Sequence, residues 1–244
     1  ITFMSQPIFP TVLAVETATQ ACSVALIYQG QEYFRHEILP QKHAHRVLEM
    51  VDEVLNESGV SMDEIDFLAY GEGPGAFTGV RIASGVIQGL ALGWDKPVLA
   101  ISSLLAMAES VLVDKYSELD VNWCALLDAR MKEIYMLVGS YQPGISLISS
   151  NEPVLISPHD IGDYLDSSKN YVGIGDTQEY YPELNNLFVD WYSSLPNAVS
   201  IARLAQKKST DAKSLEEVIP NPLYLRNQIA DTIAERKLKK ELKA

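Results

Sequence analysis

The order of the apolar runs between Thr11 and Ile101 narrows the fold more than any other feature of this chain. Two β-rich runs come first, Thr11-Val-Leu-Ala-Val-Glu16 and the alternating Cys22-Ser-Val-Ala-Leu-Ile-Tyr28, and the turn Gln29-Gly30-Gln31 leads into a third, Glu32 to Ile38. Runs of this kind, rich in strand formers and separated by short turns, pair as a three-strand meander. The period then changes. Val47, Leu48, Val51, Val54 and Leu55 fall at i, i+1, i+4, i+7 and i+8 with Glu49, Asp52 and Glu53 on other faces, which predicts a helix stopped near Gly59. A buried strand (Asp66 to Tyr70), a glycine-rich turn (Gly71 to Gly79), a second helix from about Val80 to Gly93 and a strand from Pro97 to Ile101 complete a βββαβαβ order. Hairpins supply antiparallel strands and helical crossovers supply parallel ones. The order therefore predicts an α/β fold with a mixed sheet flanked by helices, the ribonuclease-H-like unit.

The second half repeats the theme weakly. Trp123 to Asp128 reads as a strand, Ala129-Arg-Met-Lys132 as a turn, Glu133 to Tyr141 and Ile145 to Ser149 as further strands, so Glu16 and Asp128 each end the first strand of a lobe. A helix is expected around Pro158 to Asp166, a strand at Tyr171 to Gly175 and a helix from Ala198 to Lys208. A chain of 244 residues accommodates two modest lobes. We place the first at residues 4–108 and a reduced second lobe at 109–221. Pro220 and Pro222 interrupt any helix there, and residues 222–244 are expected to form a terminal helix that packs back on the first lobe.

Composition removes several function classes. No apolar stretch approaches the roughly 20 residues that span a bilayer, and no Lys or Arg precedes Arg35, so secretion is not expected. A cytoplasmic protein with no membrane partner is expected. Cys22 and Cys124 lie in separate strand-like runs and make neither a disulfide framework nor a metal spacing. The formal net charge is −13; residues 231–244 carry five Lys/Arg and three Asp/Glu, leaving 14 bases against 29 acids in the rest. Such a body repels phosphate backbones, so work on RNA would require another subunit to hold the nucleic acid. The mixed-charge tail reads as a solvated helix end.

Candidate chemistry concentrates in two loops and one helix. Gly73-Pro-Gly75-Ala-Phe-Thr-Gly79 joins a strand to a helix, where exposed N–H groups and the helix terminus would favour phosphate; equally, glycines there serve a tight turn and close packing. Thr17, Thr19, Gly73, Gly75 and Thr78 are the candidate phosphate or nucleotide contacts. The loop Glu16-Thr-Ala-Thr-Gln20 is where two-lobed actin-like ATPases carry a metal-binding acid and a glycine, yet no glycine stands between Val15 and Gln29. Efficient phosphoryl transfer is not expected, and hydroxyls at such a turn commonly serve the local backbone. His43 and His45 point apart at a helix start, and nothing completes a zinc set, so no metal is expected. HExxH and GxSxG are absent, which leaves hydrolase readings without support. The second helix is apolar on most of its circumference, which leaves Arg81, Ser84 and Gln88 as a thin polar strip. One side would meet the sheet and the other either the second lobe or a partner subunit, through Val80, Ile82, Gly85, Val86 and Gly89.

Leu13 to Leu26, Ala69-Tyr-Gly-Glu-Gly-Pro-Gly-Ala-Phe-Thr-Gly-Val-Arg-Ile82, Asp128-Ala-Arg-Met131 and Pro222-Leu-Tyr-Leu-Arg226 together resemble the bacterial TsaB family, also called YeaZ. Members more often show Asp where Glu16 stands and Ser where Ala76 stands, departures that weaken a nucleotide or metal role at those positions. The resemblance implies two ribonuclease-H-like lobes in an actin-like, Hsp70-like (ASKHA) fold. It also implies a scaffold without catalytic residues that pairs with the catalytic paralogue TsaD, with the ATPase TsaE joining, in threonylcarbamoyladenosine synthesis on transfer RNA. ATP and metal would then belong to the partner subunits, no cofactor to this chain alone, and tRNA would be met only through the complex. The isolated chain is either a homodimer or a monomer, and the rival reading is a stand-alone actin-like ATPase or small-molecule kinase.

Overall fold

Five strands form the first sheet: β1 (Val12–Glu16), β2 (Ala21–Tyr28), β3 (Gln31–Ile38), β4 (Phe67–Gly73) and β5 (Val98–Ser102), in the order β3-β2-β1-β4-β5. β1 and β2 and then β2 and β3 pair antiparallel, whereas β4 runs parallel to both β1 and β5. The two crossovers are α1 (His43–Ser58) and α2 (Phe77–Trp94). α1 stops at Gly59 and α2 at Asp95, each in the left-handed conformation that ends a helix. These assignments come from a computed structural model that describes residues 9–226 apart from residues 41 and 145. All five residues of β1 are buried, as an unbroken apolar run in a central strand requires.

The second sheet reproduces the first. β6 (Val121–Asp128), β7 (Ile134–Gln142), β8 (Ser146–Ser149), β10 (Tyr171–Gly175) and β11 (Asp190–Ser193) follow the order β11-β10-β6-β7-β8, with the short β9 (Val154–Ile156) also paired to β7. β6 matches β1 in place and direction, antiparallel to β7 and parallel to β10. The expected helix at 158–166 is a 3-10 segment, Pro158–Tyr164, entered through a Ser157 side-chain cap.

Two further helices, α3 (Ser103–Lys115) and α4 (Ala198–Lys207), lie between the sheets. α1 and α2 cover one face of the first sheet over Leu13, Val24, Leu26 and Leu68. The opposite face, with Ala14, Ala25 and Phe67, joins α3, α4 and the second-sheet residues Trp123, Leu137 and Ile174 in one continuous core. The expected boundary between residues 108 and 109 therefore falls inside α3, and α4, read as part of the second lobe, packs on β1, β2, β4 and β5. Lys213 extends this return by pairing with Val98 through two backbone hydrogen bonds. The terminal helix expected from residue 222 does not begin there, because residues 221–226 are in neither helix nor strand; residues 227–244 lie outside the described part of the chain.

Candidate functional site

The first hairpin of each sheet faces the other across a cleft. From the first lobe come Ala18, Thr19 and Gln20 of the β1–β2 turn and Gly75 to Gly79 at the start of α2. From the second come Asp128 to Met131, Tyr135, Asp176 and Tyr180, and Leu223 to Arg226 close one side. This cavity measures about 820 Å³, and a second of about 580 Å³ continues from Gln20, Asp176 and Tyr180 toward Phe34, His36 and Asn197. The position, outside the carboxyl ends of parallel strands, is the usual ligand crevice of an α/β sheet.

On the first-lobe side the acid at the end of β1 is turned inward. Glu16 is 1% exposed, and its carboxylate accepts hydrogen bonds from the Ala18 N–H at 2.5 Å and the Ser103 hydroxyl at 2.6 Å. Ser103 in turn accepts from the Gly73 N–H at 3.2 Å, so one carboxyl ties together the β1–β2 turn, the end of β4 and the start of α3. Burial pushes the Glu16 carboxyl above its ordinary range. The space it fills exists because residue 71 is glycine: a Cβ there would stand 1.8 Å from Glu16 Oε2.

The candidate phosphate contacts divide. Thr17 is fully buried and its hydroxyl donates to the Gly79 carbonyl at 2.7 Å. Thr19 lines the cleft, where its hydroxyl accepts from the Ala21 N–H at 3.2 Å. A Cβ at Gly75 would meet the Ala18 carbonyl oxygen at 2.3 Å and one at Gly79 the Thr17 oxygen at 2.0 Å, so these glycines admit protein backbone. Gly73, with φ near +100°, packs beside Val80 and the Leu223 carbonyl. Thr78 is exposed on the first turn of α2, a helix that has no side-chain cap and no acid in that turn.

On the second-lobe side the charges compensate one another. Asp176 accepts the Asp128 N–H at 2.9 Å, and burial raises the Asp176 carboxyl. Asp128 pairs with Arg130 at 3.2 Å, and the Arg130 guanidinium lies 5.6 Å from the Tyr180 ring centroid. Among the described residues no group of three or more His, Cys, Asp or Glu is placed to hold a metal ion. His43 is buried, with Nε2 3.1 Å from the Ala21 carbonyl, and His45 is exposed. Both thiols are buried, Cys22 pushed up to about 11 and Cys124 higher still by desolvation, which leaves them unreactive.

α2 presents the other candidate surface, with two corrections to its faces. Val80 is 1% exposed and points into the first lobe, so it is not available to a partner; Ser84, read as part of a polar strip, is buried with it. Ile82 and Val86 are half-buried, and Gly85, Gly89 and Gly93 are exposed with nothing near the position of a Cβ. Leu92 stands 77% exposed. The second lobe does not cover this side.

Two sheets of the same order and strand direction, each opened by a hairpin that faces a shared cleft, define a duplicated ribonuclease-H-like protein of the actin-like class. Within it, the acid that ends β1 is turned inward and backbone fills the space beside Gly75 and Gly79. The family model of tRNA N6-adenosine threonylcarbamoyltransferase, TsaD, matches residues 35–150. The tRNA threonylcarbamoyladenosine biosynthesis protein TsaB of Haemophilus influenzae is 36% identical over 231 residues, covering 90% of this chain and 94% of that one. TsaB of Escherichia coli is 34% identical over 226 residues, covering 90% and 96%. The solved structure of YeaZ from Pseudomonas aeruginosa superposes with a TM-score of 0.78 at 35% identity, over 88% of this chain and all of that one. The chain belongs to the TsaB (YeaZ) family.

Proposed function

We propose that this chain is the non-catalytic scaffold and activating subunit of tRNA N6-threonylcarbamoyladenosine synthesis, working in the cytoplasm and pairing through the outer face of α2 with a TsaD-type threonylcarbamoyltransferase. The observation that carries the pairing is the open row Gly85, Gly89 and Gly93 beside half-buried Ile82 and Val86 and the exposed Leu92. Small residues let a partner helix approach the backbone, and the apolar flanks give it area to bury. The match of a threonylcarbamoyltransferase family model to residues 35–150, which include α2, supports a partner of related fold. ATP, metal and the ATPase TsaE enter with the partner subunits, and tRNA is met through the assembled complex. The same face supports self-association of the isolated chain.

Co-purification of the chain with the TsaD protein of its own organism tests this, with Val86→Asp as the comparison. Val86 is half-buried and its inner side packs against the first-lobe core, so circular dichroism first establishes that the variant is folded. Buried unpaired in an interface, a charge costs about 3–5 kcal/mol, which weakens association at least roughly 100-fold. Loss of the complex in the folded variant supports the reading. Wild type that captures no TsaD but turns over ATP alone refutes it in favour of an autonomous ATPase.

A further inference from the structure

The segment after Pro220 spans the cleft. On the first lobe the Asn221 N–H donates to the Tyr70 hydroxyl at 3.0 Å, that hydroxyl donates to the Asn221 carbonyl at 3.2 Å, and the Leu223 N–H donates to the Glu72 carbonyl at 2.7 Å. Tyr224 then reaches the first turn of α2: its hydroxyl accepts from Arg81 Nε at 2.5 Å and its ring lies 5.7 Å from that of Phe77. Arg81 also sits 3.6 Å over the Phe77 ring. Two residues later the chain is bound to the second lobe. The Arg226 guanidinium donates to the carbonyls of Ala129 at 3.1 Å and Arg130 at 3.4 Å, to Met131 Sδ at 3.0 Å and to the Glu133 carboxylate.

The turn that Arg226 holds is strained. Arg130, Met131 and Lys132 have φ of 62°, 56° and 63°, three successive side-chain-bearing residues in the left-handed region. A side chain disfavours this region at each of the three, and such a conformation persists only where its surroundings enforce it. A guanidinium presents a rigid fork of donors, which matches one arrangement of carbonyls and not its relaxed alternatives. The other links between the lobes, through α3 and α4, lie in the shared core behind the cleft.

We infer that residues 221–226 are a latch: Arg226 fixes the β6–β7 turn and the width of the interlobe cleft, and Tyr224 connects that setting to the first turn of α2. A partner bound along α2 then adjusts the cleft through Tyr224, an extension that rests on the pairing proposed above. The latch itself does not depend on that pairing.

The test is a distance measurement between spin labels at Asn56→Cys on α1 and Asp160→Cys on the second lobe, both exposed positions; the native Cys22 and Cys124 are buried and escape labelling. The otherwise wild-type chain is expected to give one narrow distribution. Arg226→Ala, Arg226→Lys and Tyr224→Ala should each raise a longer-distance population about tenfold, the scale of losing one charge-assisted contact. Circular dichroism identifies any variant that fails to fold, and Arg226→Lys decides for that site if Arg226→Ala is such a case. An unchanged distribution in folded Arg226 variants overturns the latch. With TsaD added, wild type should shift while Tyr224→Ala, still co-purifying, should not; equal shifts overturn the connection through Tyr224. Failure of wild type to bind TsaD sinks the pairing and leaves the latch to the measurements on the isolated chain.

Discussion

Replacing Gly79 by Ala pits helix propensity against packing, and the structure decides the sign. In an open helical position the change stabilises a protein by about 0.4–1 kcal/mol, because alanine loses less backbone freedom on folding. At Gly79 the added carbon would stand 2.0 Å from the Thr17 oxygen and 3.1 Å from its carbonyl carbon. The β1–β2 turn must move away from α2, yet it is pinned there by the Thr17 hydroxyl on the Gly79 carbonyl and by the Ala76 N–H on the Ala18 carbonyl, both at 2.7 Å. Overpacking costs roughly 1–3 kcal/mol and each weakened hydrogen bond about 1 kcal/mol. Net of the propensity gain, Gly79→Ala should lose roughly 2–4 kcal/mol, a fall of about 5–15 °C in Tm for a chain of this size. Gly85→Ala is the internal control: same helix, same substitution, open space around the new carbon, and an expected gain of about 0.4–1 kcal/mol. Urea and thermal unfolding of the two variants beside wild type would show it. A Gly79→Ala protein as stable as wild type, or a Gly85→Ala protein equally damaged, refutes the claim that these glycines differ by what lies against them.

Glu109 is 1% exposed between α3 and α4; burial raises its carboxyl, and the Ser200 hydroxyl and Arg203, 3.9 Å away, offset this only in part. The folded chain then holds a proton that the unfolded chain releases, so stability is greatest below the ordinary carboxylate range and falls as pH rises through it toward the folded value. Glu109→Gln should flatten that fall and be the more stable at neutral pH, checked by denaturation midpoints at about pH 5 and about pH 8; a steeper profile would count against it. Leu92→Gln should leave unfolding within about 0.5 kcal/mol of wild type, as for other exposed positions, while weakening co-purification with TsaD. A stability loss without a binding loss would place Leu92 in the fold and not in the interface.

What the sequence made legible follows from how each element is solvated. β1 to β5, α1 and α2 were readable because each has one dominant period or stands between turn residues. α3 was not: Leu104, Leu105, Met107, Ala108, Val111 and Leu112 are all buried, and a helix covered on every side has no polar face to set its phase. The same difficulty put Val80 outward and Ser84 in the wrong strip, since α2 carries four glycines and few charges to mark the solvent side. The Glu16 site was half legible. The missing glycine argued against phosphoryl transfer, but the inward turn of the carboxyl depends on Gly71 and Ser103, both distant in sequence. Arg226 was visible only as part of a motif, because its partners at 129–133 lie some hundred residues away.

The return of α4 to the first sheet sets a schedule for synthesis. The strands of that sheet are complete at Ser102, but α4, which helps to cover Ala14, Ala25 and Phe67, ends at Lys207, about a hundred residues later. At roughly 5–20 residues per second, the translating ribosome takes roughly 5–20 s over that interval. Throughout it the nascent first lobe is a sheet finished on one side. Chaperone contact with the growing chain should therefore peak in this window and end when α4 leaves the exit tunnel.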